Sequence, residues 1–84
     1  MALMMLSNLD GRTTDEEIVD FLKRYGFPPH DGIEHFEGDG SRPSVQLTYG
    51  ELDAGALRDL RERIHGMFWK GRRLSAIVLN ERFN

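Results

Sequence analysis

Cysteine is absent from all 84 residues. That removes disulfide staples, thiol catalysis and cysteine-ligated zinc together. The fold must rest on an apolar core alone, which fits a soluble intracellular protein, cytoplasmic or nuclear. No apolar run approaches the ~20 residues needed to cross a bilayer, so no membrane association is expected. The short apolar start over residues 1–6 has neither the basic leader nor the small-residue cleavage site of a signal peptide. His30, His35 and His65 stand without metal-ligand spacing. Gly38-Asp39-Gly40 is followed by no Lys-Ser or Lys-Thr pair and no helix, so it reads as a turn and not a phosphate loop. No nucleophile–base pair emerges from the spacing. An enzyme, a bound metal and a small-molecule cofactor are therefore not expected.

Hydrophobic residues make up 39% and charged residues 30% of the chain, the balance of a globular domain with one small core. The net charge of −3 argues against a strong phosphate binder. Its distribution is uneven. Residues 1–55 hold four cations (Arg12, Lys23, Arg24 and Arg42) against eleven acids, a net −7, whereas residues 56–84 hold seven cations against three acids, a net +4. An anionic ligand would meet the C-terminal part, unless these charges are only solvated surface.

The apolar run at residues 2–6 is too short for a helix and ends in turn residues, so it is read as a strand. Thr14 and Glu17 form a capping box. Ile18, Phe21, Leu22 and Tyr25 then recur at helical spacing, and Gly26 with Pro28-Pro29 ends the helix. A short second strand is expected over residues 33–36. Phe36 is either turned into the core by a bulge or, by strict alternation with His35, placed opposite; the core placement is preferred, which leaves His35 near the outer sheet face. Residues 37–43 read as a loop. Residues 44–49 alternate, with Val45, Leu47 and Tyr49 on one side and Ser44, Gln46 and Thr48 on the other. Asp53 caps a second helix carrying Leu57, Leu60 and Ile64, predicted to run to about His65. Residues 67–71 are read as a connection and residues 74–79 as the last strand. The order β-α-β-β-α-β predicts an α+β, ferredoxin-like sandwich: a four-stranded antiparallel sheet with two helices on one face.

Several segments resemble the RNA recognition motif (RRM) family. Met4-Met5-Leu6-Ser7-Asn8-Leu9 resembles its first-strand hexamer, and Arg42-Pro43-Ser44-Val45-Gln46-Leu47-Thr48-Tyr49 its third-strand octamer. Ile64-His65-Gly66 and Gly71-Arg72-Arg73-Leu74-Ser75-Ala76 resemble the end of its second helix and its fourth strand. The resemblance covers nearly the whole chain and implies a single RRM-like domain over residues 1–84. The initiating Met and a last strand ending close to Asn84 lead to the expectation of a stand-alone domain.

The resemblance implies single-stranded RNA binding, but the three positions where the family carries base-stacking aromatics hold Met5, Ser44 and Gln46. Stacking contributes ~1–3 kcal/mol per base, so a non-canonical, weak and salt-dependent mode is expected. Phe68-Trp69-Lys70-Gly71-Arg72-Arg73 sets an aromatic pair beside three cations, a composition suited to stacking and phosphate neutralisation. Trp69 either faces a ligand or closes the core. The candidate nucleic-acid residues are Met5, His35, Arg42, Ser44, Gln46, Trp69, Lys70, Arg72, Arg73 and Ile77. The alternative is a protein partner or a homodimer on the aromatic-poor sheet face, where Leu3, Met5, Ile77 and Leu79 would form an apolar patch.

Overall fold

The computed structural model describes residues 2–36 and 43–79. Residues 37–42 of the expected loop, including Arg42, and the segment 80–84 lie outside the described residues. Strand β1 (Ala2–Ser7) leads to helix α1 (Asp15–Arg24), strands β2 (Gly32–Phe36) and β3 (Ser44–Tyr49), and helix α2 (Ala54–Arg61). A hairpin of β4 (Phe68–Trp69) and β5 (Arg72–Arg73) precedes β6 (Ser75–Leu79). The main sheet has the order β2-β3-β1-β6 and every pairing is antiparallel, with β1 and β3 central. Among the described residues, no helix is long and apolar enough to cross a membrane.

The alternation of β3 sets the layers. Val45, Leu47 and Tyr49 are buried with Ala2, Met4 and Leu6 of β1, against Ile18, Phe21 and Leu22 of α1 and Leu57 of α2. Both helices therefore lie on one side of the sheet, as the patterning predicts. Burial of the Tyr49 side chain pushes its hydroxyl pKa well above the usual value.

The helix ends obey local chemistry. Thr14 Oγ1 accepts from the Glu17 backbone N–H at 3.2 Å, and the Glu17 carboxylate accepts from Thr14 N–H at 2.9 Å. At the other end Gly26 adopts φ 93°. Its N–H donates to Lys23 O and that of Phe27 to Leu22 O, both at 3.1 Å, closing a Schellman motif. Asp53 caps α2 by accepting from Ala56 N–H at 2.7 Å. This helix is shorter than its periodicity predicts. Turns occupy residues 62–66, where Ile64 still reaches the core, and Gly66 at φ 85° redirects the chain.

The connection expected over residues 67–71 contains β4 and the turn of a hairpin, whose second strand, β5, follows it. Lys70 and Gly71 both take positive φ, 55° and 81°, as the two central residues of a type I′ turn require. Across the turn Trp69 pairs with Arg72 and Phe68 with Arg73.

Candidate functional site

The sheet face turned away from the helices is built in rows by the strand register. Glu34, Gln46, Met5 and Ile77 line up across all four strands, and Gly32, Thr48, Leu3 and Leu79 form the adjacent row. Phe36 opposes Ser44, and Ser7 opposes Ser75, at the end where β1 leaves the sheet. Four sequence-predicted residues, Met5, Ser44, Gln46 and Ile77, thus come together on one surface. Ile77 is 49% exposed and Phe36 39% exposed, while Met5 and Gln46 are half-buried among their neighbours. Among the described residues of this face, Glu34 is the sole charged group.

The register corrects β2. Ile33 opposes Leu47 and His35 opposes Val45, so both lie on the helix side, whereas Phe36 shares the outer face with Ser44. No bulge intervenes. His35 Nε2 lies 2.7 Å from Asp15 Oδ1 at the start of α1 and ties the edge strand to the helix. His35 therefore leaves the candidate set for the sheet face, and Phe36 enters it. Strict two-residue alternation counted from Ile33 is the signal that places Phe36 on this face.

The segment around Trp69 is also separated from the sheet face. The indole stacks on Phe21 of α1, with ring centroids 4.5 Å apart at 26°, and packs against the core. Lys70 Nζ contacts Glu17 Oε1 at 2.7 Å and sits 5.7 Å from the Trp69 ring. Hydrogen bonding from Lys70, and then from Thr14 N–H, holds the Glu17 pKa below its usual value. Arg73 covers the exposed Phe68 ring at 5.1 Å. Arg72 Nη1 donates to Asn8 Oδ1 at 3.3 Å, and Asn8 Nδ2 donates to Arg73 O at 2.8 Å. Asn8 itself adopts φ 65° as the chain leaves β1. The Asp10 pKa is lowered chiefly by the Arg12 backbone N–H and also by the charges of Arg12, Lys70 and Arg72. The hairpin is consequently a clasp between the end of β1 and the start of α1, and Trp69 and Lys70 serve packing there.

What the outer face offers is an apolar platform of Phe36, Met5, Ile77, Leu3 and Leu79. Hydrogen-bonding groups of Ser44, Gln46 and Thr48 are set between these side chains. A planar ligand with polar edges matches that mixture: rings contact the apolar side chains while amide and hydroxyl groups read the edges.

No family model matches the sequence, and neither does any curated protein. Solved structures do. RRM3 of Pes4 is similar over 100% of this chain and 98% of its own, with a TM-score of 0.78 and 18% identity. The Rna15 RRM with bound RNA (GU) has a TM-score of 0.65 at 17% identity, covering 88% of this chain and 78% of that one. SR1-RRM1 of Plasmodium falciparum, in complex with ACAUCA RNA, has a TM-score of 0.61 at 14% identity and covers 92% and 82%. The chain has the fold of the RNA recognition motif.

Proposed function

We propose that this chain binds single-stranded RNA across the outer face of its sheet, acting by recognition and not by catalysis. One observation carries the reading: a surface, free of cover by the described residues, in which Phe36, Met5 and Ile77 alternate with Ser44 and Gln46 in register. The likeness to RRMs solved with RNA supports it at the level of the fold. Phe36 is the ring on which a base stacks. Met5 and Ile77 supply apolar contact for its neighbour, and Gln46 and Ser44 hydrogen-bond base edges. The mode is non-canonical because its aromatic ring comes from an edge strand. Affinity is low because one ring replaces several, and it falls with salt because phosphate contacts release counterions. Arg72 is held beside the Ser7–Ser75 end by its bond to Asn8 and serves as a cation at the rim. A cytoplasmic or nuclear setting accompanies this reading.

The test is fluorescence anisotropy with short labelled oligoribonucleotides at low and moderate salt. Binding that weakens with salt is expected. Phe36→Ser combined with Ile77→Ser should weaken it roughly tenfold or more, in line with the loss of one stacked base and its neighbour's contact. Equal affinity of this double variant and the parent protein would remove the sheet face as the binding surface.

The exposed apolar side chains of Phe36 and Ile77 favour a second reading: a protein partner or a second copy of the chain. Sedimentation at rising concentration separates this from RNA binding. A concentration-dependent dimer lost in the same double variant is the outcome that supports it.

A further inference from the structure

The edge strand β6 is blocked at Ala76 and, among the described residues, open at Val78. The Ala76 N–H donates to His65 Nδ1 at 3.0 Å, and its carbonyl accepts from Arg61 Nε at 2.7 Å. Both backbone groups of Ala76 therefore point away from β1, toward the sheet edge. In an antiparallel strand that orientation repeats every second residue, so the N–H and carbonyl of Val78 point the same way. Beside them lies a notch of about 260 Å³ lined by Arg58, Arg61, Ile77 and Val78. Ile77 belongs to the outer face, so the notch opens where that face meets the layer of α2.

The notch is cationic in a way the hairpin is not. Lys70 is held by Glu17 and Arg73 lies over Phe68. Arg58 is exposed and makes no ion pair or side-chain hydrogen bond among the described residues. The Arg61 guanidinium is fixed by Ala76 O and by Glu62 at 2.9 Å, which leaves Nη2 without a described partner. An exposed guanidinium, a second held in place and an outward backbone N–H form a donor set for a tetrahedral anion. Its position beside Ile77 suits an anion carried by whatever lies on the sheet face.

We propose that this notch receives a backbone phosphate of the RNA strand as it leaves the sheet over β6, with Arg58 as the principal contact. The inference rests on the RNA-binding reading above. Phosphate neutralisation then comes from α2, and the strand crosses the face from the Phe36 edge to the Ile77 edge.

Arg58→Gln and Lys23→Gln remove the same charge from exposed positions, the second on α1 far from the notch. Anisotropy over a salt series is measured for both and for the parent chain, with thermal melts to establish that Arg58→Gln leaves Tm unchanged. Arg58→Gln is expected to bind severalfold more weakly whatever the RNA sequence. The slope of log affinity against log salt should fall by about 0.7, the value for one single-strand phosphate. Lys23→Gln should match the parent slope, and the Val78 amide signal should shift when RNA is added. If Arg58→Gln behaves like Lys23→Gln while Phe36→Ser with Ile77→Ser still loses binding, the notch is refuted and the sheet-face reading survives. A parent chain that binds no RNA refutes both. A Val78 amide that responds to poly-glutamate and not to RNA would overturn the proposal in favour of an acidic protein segment.

Discussion

The Phe21–Trp69 ring pair adds about 0.5–1.5 kcal/mol beyond the burial of its surfaces. Trp69 is only partly buried, so Trp69→Ala should cost about 2–3 kcal/mol, below the range for fully buried aromatics. Urea unfolding would measure this. RNA affinity of the folded variant should stay at the parent value. Trp69 is also the chain's sole tryptophan. Its emission should follow unfolding and ignore RNA, and quenching by RNA under native conditions would put the indole back in the binding surface. Phe36 is the reverse case, an exposed ring whose replacement is expected to leave stability unchanged. Hydropathy is a poor guide to Phe36, because it ranks side chains by their own surface and not by which face of the backbone carries them. Register settles that question. In β3, where six residues alternate without interruption, the face was readable from sequence. In β2, a five-residue edge strand beginning at Gly32, too few core residues constrain the pattern.

Local signals locate β1, α1 and β3, while the end of α2, the facing of β2 and the hairpin of two-residue strands depart from the sequence reading. The capping box, the stripe of α1 and the Gly26 stop each reside within a few residues. The β4–β5 hairpin has no periodicity to detect, and its turn pair Lys70-Gly71 departs from the usual Asn-Gly. Tertiary contacts complete it: Lys70 bonds Glu17, so one carboxylate both caps α1 and clasps the hairpin. This arrangement predicts an acid-sensitive element. The folded pKa of Glu17 lies below its ordinary 4.5, with hydrogen bonding from Lys70 as the largest cause. Such a group contributes stability that is present above the unfolded value and is lost as pH falls through the folded one. Unfolding midpoints of the parent chain should therefore drop below about pH 4.5 more steeply than those of Glu17→Gln, whose side chain does not titrate. Parallel acid limbs for the two proteins would mean that the clasp contributes nothing through charge. The side chain is well exposed, so solvent screening keeps the effect small.

Across the whole molecule, the charge split along the sequence becomes a split between sheet edges. Glu34 sits on the outer face at the β2 edge, and Arg58 and Arg61 flank the β6 edge. On the proposed reading, an RNA strand laid between them meets repulsion at one end and attraction at the other, which reconciles that proposal with a net charge of −3. Glu34 opposes Gln46 directly, in the same row as Met5 and Ile77, so its carboxylate is a cross-strand neighbour of the groups proposed to contact bases. Glu34→Gln keeps the size and hydrogen-bonding capacity of the side chain and removes the charge. It should strengthen RNA binding about two- to fivefold at low salt, the scale of one exposed like-charge contact of up to about 1 kcal/mol. The gain should fade as ionic strength rises and the Debye length falls below about 8 Å. A gain that persists at high salt would identify a new hydrogen bond and not lost repulsion. No gain at any salt would mean that RNA does not pass over the Glu34 edge, and the path from β2 to β6 would have to be redrawn.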